Sequence, residues 1–408
     1  MSNSNIVIIG GGHAAAQLCA GLVGAGQGAR VHLVCEESHL PYHRPPLSKT
    51  FLKMPDEALQ PHRAEAWYGE SGITMHQGDP AVAIDREART VTLRSGAVIG
   101  WERLVLATGT RARRLSALAG LDNVALLRAA DEAAQLRTML AAAQQVTVLG
   151  GGFIGLEVAA TALGLGKAVT VLESAPRLLS RAVSPTLSEH VLATHRAAGM
   201  DVRIGVQTGA LQCEGTRLVT IEVDGQPKPV DLLLLGIGAV PETTLAQAAG
   251  LECADGIVVD AYMQTSDEAV LAIGDCTRFP DRRAGAALRL ESVQNANDQA
   301  RTAVATLTGA PRPHDAVPWF WSDQGSLRLQ MAGLVPAPGT PGAIMVRRPG
   351  ASAASFSLLH YVEGQLHCVE SVNAPVDHMM SRKLLEAGRS PDPAVAVDPA
   401  VPLKTHLA

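Results

Sequence analysis

The chain is 408 residues long, enough for about three domains and a large buried core. Hydrophobic residues make up 47% and charged residues 18%, which excludes a disordered polymer. The 34 basic and 39 acidic residues leave a formal charge of −5, which argues against nucleic acid as the principal partner.

The opening MSNSNIVII lacks the basic and apolar regions of a secretory signal. The longest apolar run, over 232–240, is too short to span a bilayer. Cys19, Cys35, Cys213, Cys253, Cys276 and Cys368 are scattered without a CxxC pair, the pattern of reduced thiols in a cytoplasmic protein. A strand is expected over 6–9, then Gly10-Gly11-Gly12, a helix over 14–23 and a second strand over 31–34 ending at Cys35-Glu36-Glu37. A loop over 40–51 follows, with Pro45-Pro46 between Arg44 and Lys49. The stretch 90–107 is strand-rich and ends in the run Leu104 to Gly109. The opening grammar then returns, with a strand over 146–149, the turn Gly150 to Gly155, a helix, and a strand ending at Glu173. A run over 232–238 matches the earlier one, and a further strand ends at Gly274-Asp275. A long helix is expected over 291–307, followed by a break at Pro311 and Pro313, and then Trp319, Trp321 and short strands. The Pro/Ala-rich tail from Ser390 is expected to be poorly ordered.

The repeat carries chemistry. The first turn reads Gly10-x-Gly12-x-x-Ala15 with Glu36 about 20 residues on; the second reads Gly150-x-Gly152-x-x-Gly155 with Glu173 at a similar remove. The glycines serve a tight turn, close approach of the backbone to a pyrophosphate, and helix–strand packing, while the helix N-terminus supplies N–H groups to phosphate. One such motif is weak; two, each between strands and each with its acid, point to two dinucleotides. One is held permanently and one exchanges, the arrangement of an FAD enzyme reduced by a nicotinamide. Glu173 suits the 2′-hydroxyl of NADH and repels the 2′-phosphate of NADPH, with Arg177 and Arg181 nearby as a counterweight.

Residues 37–60 contain no cysteine, which argues against a disulfide reductase or a sulfenic-acid peroxidase. Taken alone, Arg44 to Lys49 reads equally well as a solvated turn or as an elbow presenting cations. No Ser/His/Asp triad and no metal cluster is legible among the 13 histidines; His13, a bulky choice inside the glycine turn, has no evident role.

RPPLSK at 44–49, LATG at 106–109, GGGFIGLE at 150–157, AIGD at 272–275, ESVQNANDQA at 291–300 and PWFWSDQ at 318–324 carry a resemblance over nearly the whole chain. The chain resembles the bacterial NADH-dependent ferredoxin reductases serving cytochrome P450s and Rieske-type oxygenases, the putidaredoxin reductase family. The resemblance implies an α/β, glutathione-reductase-like fold: two Rossmann-type dinucleotide-binding domains plus an α+β C-terminal domain. FAD-binding segments are expected at 1–107 and 232–310, an NAD-binding domain at 108–231 and the C-terminal domain at 311–408.

By the same resemblance Lys49 lies beside the flavin, where an ammonium stabilises negative charge on the reduced ring. Ala14, Glu36, Lys49, Val82, Arg128, Asp275 and Val293 fall where the family contacts FAD, and Ile154, Glu157, Glu173 and Arg181 where it meets NADH. Arg44, Ala107, Thr108, Gly109, Gly238 and Trp319 complete the cofactor-binding candidates, with Lys49 and Glu157 as the catalytic pair. Asp275 reads either as a ribityl partner or as a helix N-cap. Glu157 reads as a complement to the helix dipole, a guide for the nicotinamide, or a partner of Lys49. The implied partner is a [2Fe-2S] ferredoxin met by Trp319, Trp321, Arg301, Arg328, Arg382 and Lys383, on a monomer or weak dimer. A rubredoxin or quinone reductase of the same fold is one alternative. A signalling flavoprotein is the other, but it calls for an organelle presequence or a nucleic-acid-binding charge.

Overall fold

Ile6–Ile9 is apolar throughout rather than alternating, as a strand covered on both faces must be. In the computed structural model, which describes residues 4–407, it is the central strand of a five-stranded parallel sheet. The order is Val270–Ala272, Arg103–Leu106, Ile6–Ile9, Val31–Cys35, Thr74–Gln77. Helix His13–Gly24 follows the central strand and packs along helix Val293–Leu307, where Gly21 leaves room for Val304. These elements belong to one compact unit, residues 4–43, 59–111 and 240–316.

The second unit, residues 44–58, 112–239 and 317–407, repeats the plan. Its parallel sheet runs Asp201–Ile204, Ala168–Glu173, Gln145–Leu149, Leu232–Leu235, Val124–Ala125. Leu232–Leu235 thus pairs with Gln145–Leu149, as Arg103–Leu106 pairs with Ile6–Ile9. The boundary expected between 231 and 232 therefore cuts this strand from its own sheet; the crossing into the first unit comes at 239–240. Segment 44–58, expected with the first dinucleotide domain, likewise clusters in the second unit.

The C-terminal part of the second unit is an antiparallel sheet ordered Trp319–Gln324, Leu327–Gly333, Gln365–Val372, Phe356–Val362, Ala343–Pro349. Helix Pro375–Glu386 packs on its central strands. The tail is ordered, contrary to expectation. Arg348 is buried and donates to the carbonyls of Ala396 (2.9 Å), Asp398 (2.7 Å) and Val401 (3.0 Å), with Asp377 at 3.2 Å from its Nε. Ala396 and Leu403 sit in a core with Leu359 and Tyr361. Composition pointed to disorder, but a buried guanidinium needs acceptors, and the tail's carbonyls supply them. Among the described residues, no helix is long and apolar enough to cross a membrane.

Candidate dinucleotide sites and the Lys49–Glu157 centre

Each sheet ends in a glycine turn built by the same contacts. Gly10 has φ +122° and Gly150 φ +106°, a region that disfavours side chains. A Cβ on Gly10 would stand 2.2 Å from the Ala107 carbonyl oxygen, and one on Gly150 2.4 Å from that of Gly236. Gly155 is confined by the Gly150 oxygen at 2.6 Å. The middle glycines differ. Among the described residues, chain neighbours aside, nothing lies within 4 Å of a Cβ built on Gly12, and only the Gly236 oxygen, at 3.8 Å, of one on Gly152. Each is the N-cap of the following helix, and neither helix has a side-chain cap. Open space in front of uncapped N–H groups is what a dinucleotide pyrophosphate requires. The residues present therefore fit two such groups.

In the first unit, Ala14 and Ala15 are buried behind the turn, Ala107 is buried beneath it, and Thr108 Oγ1 donates to the Glu242 carbonyl at 2.6 Å. Gly109 has a positive φ of 67°. Glu36 is exposed, while Tyr42 donates to Glu37 at 2.6 Å. By register, Cys35 rather than Glu36 matches Glu173, because Ile9 pairs with Val34 as Leu149 pairs with Leu172. Burial, reinforced by Glu37, pushes the Cys35 thiol up to about 12, so it is no nucleophile. Val82 is 51% exposed on strand Ala81–Asp85. Asp275 stands in a turn after Val270–Ala272 where no helix begins, which removes its reading as an N-cap. Val293 opens helix Val293–Leu307, capped by Ser292.

In the second unit, Glu173 accepts from the Gly151 N–H (2.6 Å) and the Ala175 N–H (2.7 Å), which fixes its carboxylate at the mouth of the turn. Arg177 is committed to the Val183 and Ser180 carbonyls. Arg181 is exposed, its guanidinium 3.3 Å from where a Gly238 Cβ would stand. Ile154 is 48% exposed in the first turn of helix Phe153–Gly164. Arg44 donates to the Arg128 carbonyl at 2.7 Å, and the Arg128 N–H donates to Glu132 at 2.8 Å.

The centre of this unit is Glu157, 4% exposed on the same helix. Pro45–Ser48 forms one turn of 3-10 helix, which brings Lys49 Nζ to 2.6 Å from Glu157 Oε2 and 3.2 Å from the Pro45 carbonyl. Ser48 donates to Glu157 Oε2 at 2.5 Å, and Ser322 donates to Oε1 at 2.7 Å. Gln324 Nε2 donates to Ser322 (3.0 Å), and its Oε1 lies 2.8 Å from His195 Nε2. Burial lowers the His195 pKa against the opposing Gln324 hydrogen bond, so a neutral ring carrying its proton on Nε2 satisfies the chain. From His195 through Gln324 and Ser322 the donors run toward Glu157, whose two oxygens thus find hydrogen-bond partners despite burial. Of the three sequence readings of Glu157, pairing with Lys49 is present in the structure.

Ser48 and Ser322 lie within the RPPLSK and PWFWSDQ motifs, but nothing in spacing joins positions so far apart. Trp319 is half-buried, with Arg382 4.0 Å from its ring centroid and Trp321 at 5.8 Å. Arg301 is paired with Asp298 on its own helix, while Arg328 and Lys383 are exposed. His13, His43 and His62 converge in the first unit, a cluster that their sequence spacing did not reveal.

The model for the pyridine nucleotide-disulphide oxidoreductase family matches residues 4–300, and that for the reductase C-terminal domain matches residues 319–407. The chain is 37% identical to putidaredoxin reductase of Pseudomonas putida, covering 100% of this chain and 97% of that protein. It is 39% identical to rhodocoxin reductase of Rhodococcus erythropolis, covering 99% and 94%. Among solved structures, the ferredoxin reductase for the CYP199A2 system from Rhodopseudomonas palustris matches with TM-score 0.94 at 42% identity, over 99% of this chain and 100% of that one. The covalent putidaredoxin reductase–putidaredoxin complex matches with TM-score 0.92 at 36% identity, over 100% and 99%. With paired glycine cradles in two parallel sheets and a C-terminal antiparallel sheet, the chain belongs to the pyridine nucleotide-disulphide oxidoreductase family.

Proposed function

We propose that this protein is an FAD-dependent NADH:ferredoxin reductase of the cytoplasm, delivering electrons to a [2Fe-2S] ferredoxin that serves a P450 or Rieske-type oxygenase. The observation that carries this reading is the Lys49–Glu157 pair, its carboxylate buried, where residues 37–60 offer no cysteine, in a chain with two open dinucleotide cradles. Bound FAD supplies the chemistry, accepting hydride from NADH and releasing electrons singly. The chain's own residues bind, orient and set charge. Gly10, Gly12, Ala14, Ala15, Glu36, Lys49, Val82, Arg128, Asp275 and Val293 are the proposed FAD-binding residues. Gly150, Gly152, Ile154, Gly155, Glu157, Glu173 and Arg181 are those proposed for NADH. The Glu157 carboxylate holds the Lys49 ammonium in one place, so its charge acts from a fixed position. The purified protein should be yellow, with one FAD per chain, and should bleach on anaerobic NADH addition and recover on adding oxidised ferredoxin. A protein that takes up no flavin on reconstitution would end this reading.

Glu173 should set coenzyme choice. Glu173→Ala is expected to lower kcat/KM for NADH by a factor worth about 1–3 kcal/mol and to narrow the gap to NADPH. Steady-state kinetics with both coenzymes decide the matter; a wild-type protein that uses the two equally leaves the carboxylate no such role.

Docking is assigned to Trp321 with Arg328, Arg382 and Lys383. Aromatic and arginine side chains dominate binding hot spots, and Arg382 is already ordered over Trp319. Arg382→Glu should raise the KM for ferredoxin several-fold while turnover with ferricyanide stays level. Added salt should weaken ferredoxin turnover selectively. Unchanged ferredoxin kinetics at every salt concentration would place docking elsewhere.

A further inference from the structure

We propose that His13, His43 and His62 form a binding site for a divalent transition-metal ion of imidazole preference, with Zn2+ as the type. Three separate pieces of chain build the cluster. His13 is the first residue of helix His13–Gly24 and is nearly buried. His43 and His62 are placed by a local backbone pairing in which Tyr42 bridges Pro61. The His43 N–H donates to the Gln60 carbonyl at 2.9 Å, and the His62 N–H to the Pro41 carbonyl at 2.8 Å. Two of the three ligands therefore ride on a rigid support.

One ring nitrogen from each histidine lies within 4.8 Å of those of the other two. The rings do not stack. His13 meets His62 at 81° and His43 at 72°, while His43 and His62 are tilted by 52° with centroids 4.0 Å apart. Edge-on rings with converging nitrogens suit a shared ion better than apolar packing does. Zinc–nitrogen bonds of about 2.0–2.1 Å in a tetrahedron set neighbouring nitrogens about 3.4 Å apart. Closing the cluster therefore takes a shift on the order of 1 Å, within reach of rotamer adjustment at the exposed His43. Three imidazoles leave a fourth position for water. The absence of a carboxylate from the set favours Zn2+, Cu2+ or Ni2+ over Mg2+ or Ca2+. The ion would clip the N-terminus of helix His13–Gly24 to the segments carrying residues 43 and 62. The proposal rests on these side chains and not on the reductase reading.

The test uses the full-length, untagged, FAD-loaded protein, stripped with a chelator and titrated with Zn2+ against a chromophoric chelator. Wild type should bind one equivalent and show a higher melting temperature with zinc present. His62→Ala and His43→Gln should each lose affinity by more than the roughly 10–100-fold that losing a supporting neighbour costs, and the thermal shift should vanish. Retained flavin absorbance confirms that each variant is folded. His43→Gln, at an exposed position, keeps the test open if His62→Ala does not fold. Wild type binding no zinc in competition, or variants binding as tightly as wild type, would overturn the site.

Discussion

Glu157→Ala should destabilise the second unit by about 3–5 kcal/mol, the scale of breaking a buried ion pair from one side. The carboxylate is the common acceptor of Lys49, Ser48 and Ser322, and its removal leaves the ammonium without its counter-charge and two hydroxyls without their acceptor at once. Glu157→Gln should cost less, since one oxygen still accepts, although its NH2 group then faces donors. Lys49→Met should be the mildest, because Lys49 keeps 20% of its side chain exposed and Glu157 retains both serine donors. Urea midpoints followed by a tertiary-structure probe give the ranking, and the double variant Lys49→Met/Glu157→Ala should recover part of the loss. A Glu157→Ala midpoint equal to wild type would mean that the pair is not the keystone its geometry implies.

Gly12→Ala and Gly10→Ala should separate binding from folding. At Gly12 the φ of −89° suits any residue, and among the described residues, chain neighbours aside, no atom lies within 4 Å of the added methyl group. That variant is expected to fold normally and emerge colourless or weakly flavinated, because the methyl occupies space kept for the pyrophosphate. A steric conflict of this kind costs about 1–3 kcal/mol, occasionally more. At Gly10 the methyl meets the Ala107 carbonyl carbon at 2.7 Å as well as its oxygen, at a φ that alanine resists. That variant should fail to yield soluble protein. Flavin absorbance per chain and far-UV circular dichroism read the two outcomes; a fully yellow Gly12→Ala protein would remove the cradle from the flavin site.

The two turns were legible because their chemistry is local: each glycine, and each acid about 20 residues on, lies within a single strand–helix–strand unit. The likeness of 232–238 to 104–109 was readable, but the role of Leu232–Leu235 was not: chain order assigned it to the returning FAD segment, whereas it pairs with Gln145–Leu149. Ser322 and His195 could not be found this way. Their link to Glu157 is made by packing strand Trp319–Gln324 on helix Phe153–Gly164, which no spacing records. The histidine cluster was hidden for the same reason: a backbone bridge between Tyr42 and Pro61 brings His43 to His62, and folding sets both against His13 at the start of its helix. The tail misled because Pro and Ala describe a segment's own preferences and not a guanidinium waiting for its carbonyls.

The Arg348 clasp bears on how the protein is made. Residues 396–401 leave the ribosome after every strand of the sheet whose edge they close, and until then a charged side chain in strand Ala343–Pro349 lacks its three carbonyl partners. The second unit also waits, from residue 239 to residue 317, while the whole last segment of the first unit is synthesised. Its early-made sheet must therefore persist as a nascent intermediate, exposed to chaperones and proteases, until the segment carrying residues 396–401 has been made.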